Sequence, residues 1–562
     1  MLPESMARAV SSPKNSRVQT PAPKLCPRSW QDVWGWHVIV LLGVIVLFGA
    51  IRWRLADAPL ERDEGEYAYA GQLILEGIPP YQLAYNMKLP GTYAAYAGIL
   101  AIFGQTSGGI HLGLLFVNAV SGMMLYVIAA WMFGRLAGAI SGASFILLST
   151  HQAVLGFAAH ATHFVVVSAL VGLILLLRAE QSKGTFCLFL SGLAFGVAFL
   201  MKQPGILFGV FGIFYLGLSR RPKCKAEWAF WMKKMAVFLL GGVLPFAMTC
   251  GLLYRAGVFN HFWFWTFSYA REYATTMSWR GGMTFLTRNF SEVFLAAPEI
   301  WIIAAVGILA LISDRTARPH GMFVFGLLAF SLAAVCPGLY FRPHYFILLL
   351  PVVALLTGVA VACIVHLLQA RFNSRWALLV PCIAFAGAWT LALAANREVY
   401  FEFDPLEAFR YSYFPSPFQE ALPVAEYLKE HTAPTERVLV FGSEPEIYFY
   451  AHRHSATGYI YTYSLTEDQP YWPVMQRQMM QEVEANRPAY VVFVNVKFSW
   501  IYAANSPQVA ALSAWFDQYM ARDFQEVGMV ECHDAASQFY WGDEAFGHRR
   551  PTREILIFKR KG

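Results

Sequence analysis

Four carboxylates, Glu61, Asp63, Glu64 and Glu66, fall within six positions of the segment LERDEGEYAYAGQLILEGIPPYQLAYNMKLPGTY, just before an apolar stretch. Acids gathered at an apolar boundary serve as a general base or metal ligand, or form a solvated loop that balances Arg62. Tyr67, Tyr69, Tyr81 and Tyr85 in the same segment are either an interfacial belt or sugar-stacking surfaces. Three basic sites accompany them: Lys88 in MKLPGTY, Lys202 in FLMKQPG, and Arg342 with His344 in YFRPHYFILLLP. Each stands where a loop meets an apolar block, so each either snorkels to the interface or binds an anion. Three such cations on one face suit a membrane-embedded phosphate. His160 and His163, in GFAAHATHF, are spaced to share one side of a helix as a metal pair or a hydrogen-bonded polar pair. The aromatic run HFWFWTFSYAREYATTMSWRGG carries Arg271 and Arg280 and reads as a cover over a sugar or lipid, or as an interfacial amphipathic segment.

The elements that must position these residues are membrane spans. Of 562 residues 57% are hydrophobic and only 14% charged, against about 25% charged in soluble proteins. The net charge of +7 does not signal nucleic-acid binding, because the basic residues form short clusters between apolar blocks. Eight cysteines without a C-x-x-C pair give neither a disulfide framework nor a metal cluster. Placing Lys/Arg-rich loops inside gives one topology, with a polar cytoplasmic tail over 1–33 expected to be disordered. Spans are expected near 35–54, 110–133, 137–158, 163–178, 185–200, 203–218, 235–254, 297–313, 321–338, 344–367 and 376–396. The segment 91–104 is too short for a full crossing and is read as a half-span. The outer face then receives the first loop, 55–90, the turns at 159–163, Lys202 and 339–344, the loop 255–296, and everything beyond 397. There charges rise, RVLVFG and PAYVVFVNV read as strands, and 417–431, 473–486 and 507–522 have helical spacing. The fold class expected is a polytopic α-helical membrane protein of about 11–13 transmembrane helices over 34–396, with a C-terminal soluble α/β domain over 397–562.

These residues resemble those of the GT-C glycosyltransferases that use polyprenyl-phosphate sugars, the group of the protein O-mannosyltransferases (glycosyltransferase family 39) and the lipid A aminoarabinose transferases. Asp63-Glu64-x-x-Tyr67-Ala68 resembles the D-E-x-x-Y-A motif of the first loop, and Lys88-Leu89-Pro90 the K-P-P entry to the next span. GLAFGVAFLMKQPG resembles the G-x-x-x-G-L-A-x-L-x-K-x-P segment, and Arg342-Pro343-x-Tyr345 with Pro351 the K-x-P-x-Y-x-L-P segment. The segment RVLVFGSEPEIYFYAHR is similar to the C-terminal domain of bacterial family-39-like proteins.

The resemblance implies that Asp63 is the catalytic carboxylate with Glu64 assisting, and that Lys88, Arg342 and Tyr345 hold the lipid phosphate. Lys202 joins them by its place on the same face. Glu66, Tyr67, His160, His163, Arg271, Arg280 and His344 are further candidates for substrate contact. Ala161-Thr162-His163 departs from the family pattern, since relatives often carry an acid after A-T. With that second carboxylate missing a family-style metal site is not expected; no cofactor is expected, a divalent metal being allowed but not required. The expected partners are a polyprenyl-phosphate sugar donor, an acceptor of unspecified class and the bilayer, and the expected location is a bacterial inner membrane with the site on its outer side. Transfer would be a single displacement that inverts the anomeric carbon. Two other classes compete: a transporter or flippase of a lipid-linked sugar, which repeated halves with broken helices would mark, and a receptor acting through its outer domain. No such repeat is evident, and the charged candidates belong to the membrane region rather than to the domain.

Overall fold

A computed structural model describes residues 33–181, 184–219, 224–372, 374–500, 506–533, 536–547 and 553–562. The tail expected over 1–33 lies almost wholly outside them. The membrane region comprises α1 (His37–Arg54), α2 (Arg62–Leu75), α3 (Pro90–Phe103), α4 (Ser107–Phe133), α5 (Arg135–Thr150), α6 (Ala161–Gln181), α7 (Phe186–Met201), α8 (Ile206–Ser219), α9 (Lys225–Arg255), α10 (Phe259–Trp263), α11 (Ala270–Thr275), α12 (Trp279–Leu295), α13 (Pro298–Ser313), α14 (Gly321–Val335), α15 (Leu350–Phe372) and α16 (Trp376–Ala394). Seven helices among the described residues are long and apolar enough to cross a bilayer, and α12 with α13 makes an eighth if that pair, bent by 100°, is one span. Four more apolar helices are shorter.

Helix length decides where the turns lie. At about 1.5 Å per residue, the 14 residues of α3 reach about 21 Å, short of the roughly 30 Å hydrocarbon layer. The half-span reading of 91–104 agrees with this. The same arithmetic applies to α7 and α8, of 16 and 14 residues. Both are shorter than the hydrocarbon layer is thick, and the Lys202 turn joins them. The span expected at 137–158 likewise ends early, at Thr150, and the chain returns through a turn. Arg52, buried in α1, donates to Ser149 O, Thr150 Oγ1 and Gly156 O of that turn, so its carbonyls are satisfied without water.

Beyond α16 come α17 (Pro405–Tyr413), α18 (Ala421–His431), β1 (Val438–Phe441), α19 (Glu446–Ala451), α20 (Tyr463–Thr466), α21 (Trp472–Asn486), β2 (Tyr490–Asn495), α22 (Pro507–Asp523), β3 (Phe524–Glu531), β4 (Gln538–Trp541) and β5 (Glu554–Arg560). The strands form one sheet in the order β1-β2-β5-β3-β4. β1 and β2 are parallel, joined by a helical crossover, and the other pairs are antiparallel. Both expected strands and all three expected helices are present within a few residues of their anticipated limits. The α/β domain is nevertheless not a separate globule. One apolar cluster runs from Tyr67, Tyr69, Tyr81, Tyr93 and Tyr96 of the first loop and α3 into Val440, Tyr448, Val492 and Ile557 of the sheet and its helices. Gly65 permits this approach, because a Cβ there would lie 2.6 Å from Cβ of Glu446.

Candidate active site

The acidic segment becomes a helix because it caps itself. The Glu61 carboxylate accepts from the Glu64 backbone N–H (3.0 Å) and the Glu64 carboxylate from that of Glu61 (3.4 Å), a reciprocal pair that satisfies two orphan donors. Asp63 and Glu64 in the first turn also suit the positive end of the helix dipole. Gly77, at φ 83°, terminates the helix together with the Ile78 N–H to Leu73 O bond. With the cap fixed, the four acids point in different directions.

Asp63 faces a cavity of about 760 Å³ at the boundary between the membrane helices and the C-terminal domain. Lys88, immediately before the Leu89-Pro90 entry to α3, reaches across to it: Nζ lies 3.1 Å from Asp63 Oδ1 and 3.1 Å from the Tyr67 hydroxyl. Lys202, at the end of α7, places Nζ 4.1 Å from the centre of the Tyr345 ring. Arg342 leaves a strained turn in which Leu339 and Phe341 hold φ of 56° and 41°, a conformation costing about 1–3 kcal/mol per residue. Its guanidinium lies over Tyr340 at 5.7 Å and donates to the Tyr273 hydroxyl at 3.4 Å. Although burial pushes the Asp63 carboxyl up, Lys88, with His160, Arg342 and Lys202, holds it well below the usual carboxylate range.

The remaining candidates divide. His160 and His344 stack at 4.1 Å on the cavity wall. Donor atoms of Asp63, His160 and His344 lie within 4.8 Å of one another, two imidazoles and a carboxylate, a set that suits zinc or manganese. Of the spaced histidine pair only His160 faces the cavity. It precedes α6, whereas His163 is inside the helix with Nδ1 3.1 Å from Asn118 Oδ1. Glu64, expected beside Asp63 as an assisting carboxylate, turns away: its Oε1 accepts from Ala159 N–H at 2.6 Å and lies 3.2 Å from His111 Nε2. Its work is to tie α2 to α4 and to the turn before α6. Glu66 is fully buried behind the wall, accepting from Tyr93 and, at 3.1 Å, from Tyr461, and burial pushes it up to about 7. Tyr67 acts on the site through Lys88. Arg271 borders the cavity but is 76% exposed and paired with Glu272, and Arg280 is exposed on α12.

Further residues complete the wall, and those of the C-terminal domain were not among the sequence candidates. Glu61 lines it, its Oε1 3.6 Å from His160 Nδ1. The C-terminal domain contributes Tyr461, Tyr463, Ser464 and Glu467, and a π-helical stretch between α10 and α11 contributes Trp265 and Tyr269. Glu467 accepts from the Tyr269 hydroxyl. Two anchors hold α2 against this domain: Arg62 donates to Ser443 O (2.6 Å) and Glu444 Oε1 (3.2 Å), and Tyr461 donates to Arg62 O (2.9 Å).

Residues 88–249, under a third of the chain, match the family described as Dolichyl-phosphate-mannose-protein mannosyltransferase. No curated protein matches the sequence. Among solved structures, ArnT from Cupriavidus metallidurans bound to undecaprenyl phosphate is similar with TM-score 0.58 and 16% identity, covering 93% of this chain and 98% of that one. The Archaeoglobus fulgidus oligosaccharyltransferase tethered with an acceptor peptide is similar with TM-score 0.50 and 13% identity, covering 90% and 74%. AglB from Archaeoglobus fulgidus with an inhibitory peptide and a dolichol-phosphate gives TM-score 0.50 and 14% identity, covering 95% and 77%. The chain thus shares the fold of these three structures.

Proposed function

We propose that the chain is a membrane glycosyltransferase that moves a sugar from a polyprenyl-phosphate donor to an acceptor hydroxyl on the extracytoplasmic face. The observation that carries this reading is the convergence of Lys88, Lys202 and Arg342 around Asp63 in one recessed cavity. The solved structures similar in fold include one bound to undecaprenyl phosphate and one in complex with a dolichol-phosphate, which supports the same class of donor.

In the proposed step the acceptor oxygen attacks the anomeric carbon, forming the new C–O bond as the bond to the phosphate oxygen breaks. The bonding pair leaves with the polyprenyl phosphate, and the acceptor's proton passes to Asp63. In the absence of donor, Lys88 occupies Asp63 and weakens it as a base. A phosphate bound among the three cations draws their charge to itself, which restores the proton affinity of Asp63 when the acceptor needs it. The leaving phosphate is stabilised by the same cations in a water-poor site, where such contacts are strong. A divalent ion held by Asp63, His160 and His344 would supply a Lewis acid, but the step as drawn has its charge met by side chains. The bacterial inner membrane is the setting proposed, with the cavity opening outward, as the distribution of Lys and Arg between loops supports.

The test is transfer from a labelled polyprenyl-phosphate sugar in membranes, with Asp63→Asn compared at equal protein level. Removal of a positioned base lowers turnover by about 10²–10⁴-fold. Wild-type turnover in Asp63→Asn would show the base assignment to be wrong.

A further inference from the structure

We propose that Glu467, delivered by the C-terminal domain, is the hydroxyl-binding group of the subsite for the transferred sugar. The proposal rests on the lipid-phosphate reading above and adds where the sugar lies and what holds it.

The cavity has two poles. At one, Lys88, Lys202 and Arg342 gather about Asp63, with Glu61 on the same wall. At the other, Glu467 stands among tyrosines: its Oε2 accepts from Tyr269, and among the described residues its Oε1 makes no hydrogen bond. Tyr463 and Ser464 share this wall, and opposite them Tyr273 and Tyr340 stack at 4.7 Å. Arg342 belongs to both poles. It leans on Tyr340 and Tyr273, and its charge acts on both Asp63 and Glu467.

This arrangement fixes the donor's orientation. A phosphate is repelled by Glu467 and attracted by Lys88, Lys202 and Arg342, so it settles at the cationic pole. The sugar is attached directly to that phosphate, and the space beside Arg342 leads to Glu467. A carboxylate oxygen with no protein partner accepts sugar hydroxyls, and flanking ring faces pack against sugar C–H bonds. A free cation is the poorer occupant, because the charge of Arg342 already acts on Glu467.

The experiment uses the full chain in nanodiscs and measures affinity for bare undecaprenyl phosphate and for undecaprenyl-phosphate glucose, galactose, mannose and arabinose. The wild-type chain is expected to prefer at least one sugar-bearing lipid over the bare one by about tenfold or more, the contribution of one charge-assisted hydrogen bond. Glu467→Gln, nearly isosteric, should abolish that preference while holding affinity for the bare lipid and the melting temperature near wild type. Glu467→Asp, which keeps the charge one methylene back, should retain part of it. The subsite assignment is overturned if Glu467→Gln keeps the full preference, or if the wild-type chain binds the bare lipid and prefers none of the four sugars. Failure to bind any of the five lipids would instead overturn the lipid-phosphate reading, and this assignment with it.

Discussion

Replacing Lys88 by methionine removes a charge while keeping an unbranched side chain of similar length, and the structure specifies three linked consequences. Lys88 Nζ is bonded to Asp63 and Tyr67, both at 3.1 Å, and the Lys88 and Asp63 side chains are 16% and 22% exposed. A hydrogen bond from a charged donor contributes about 1.5–3 kcal/mol, and every 1.4 kcal/mol is tenfold in affinity. Lys88→Met should therefore weaken undecaprenyl phosphate binding by roughly 10- to 150-fold, without abolishing it, since Lys202 and Arg342 remain. The substitution also strands a carboxylate. Breaking a fully buried pair costs about 3–5 kcal/mol; with a fifth of each side chain still reaching solvent, about 2–3 kcal/mol is expected here. Asp63→Asn has the opposite sign for binding, because it frees Lys88 for the phosphate: affinity for the bare lipid should hold or rise even as transfer is lost. In the double variant the stability returns toward wild type, since no unpaired charge is left, but the lipid affinity does not. Lipid titration and thermal melting of the four proteins in nanodiscs measure all of this. Binding by Lys88→Met within twofold of wild type, or equal weakening by Asp63→Asn and Lys88→Met, would refute the reasoning.

Glu66 gives a pH dependence of known sign. Its carboxyl is raised from 4.5 to about 7 in the folded protein, so the unfolded chain releases the proton first and the folded state loses stability as pH rises through that interval; melting temperatures between pH 5 and 8 should fall for wild type and fall less for Glu66→Gln. Gly65→Ala forces a Cβ to within 2.6–2.9 Å of the Glu446 backbone and Cβ, so it should loosen the C-terminal domain from α2, seen as faster limited proteolysis of the domain and a lower melting temperature. Chelators such as EDTA or 1,10-phenanthroline should leave transfer intact if the side-chain cations suffice; stoichiometric zinc in the purified chain, with activity lost on stripping and regained on return, would assign the Asp63–His160–His344 cluster a catalytic metal.

The apolar helices and the three basic sites were legible because the bilayer makes charge expensive. Lys88, Lys202 and Arg342 stand out against apolar surroundings, and each converges on Asp63. What failed was local angular detail. His160 and His163 were read as sharing one helical face, yet the helix begins only at Ala161, which puts His160 in the cavity and His163 on Asn118. Glu64 looked equivalent to Asp63, and only the capping geometry shows that it points the other way. Tyr463, Ser464 and Glu467 could not have been found from the sequence. They are ordinary residues of a soluble domain, about four hundred positions from Asp63 along the chain, and tertiary docking alone brings them to the site. The contact between the domain and α2 was equally hidden, since a run of rising charge marks exposed surface but not the apolar underside that α2 fills.

The position of β5 ties the wall of the cavity to the far edge of the sheet. Strands β1 and β2, whose flanking loops carry the Arg62 anchor and the Tyr461–Glu467 wall, have β5 as the next neighbour in the sheet, ahead of β3 and β4. Because Glu554–Arg560 pairs with β2 on one side and β3 on the other, it is the seam between the half of the sheet that meets α2 and the half that does not. A substitution that breaks this seam far from Asp63 would thus be felt at the cavity wall.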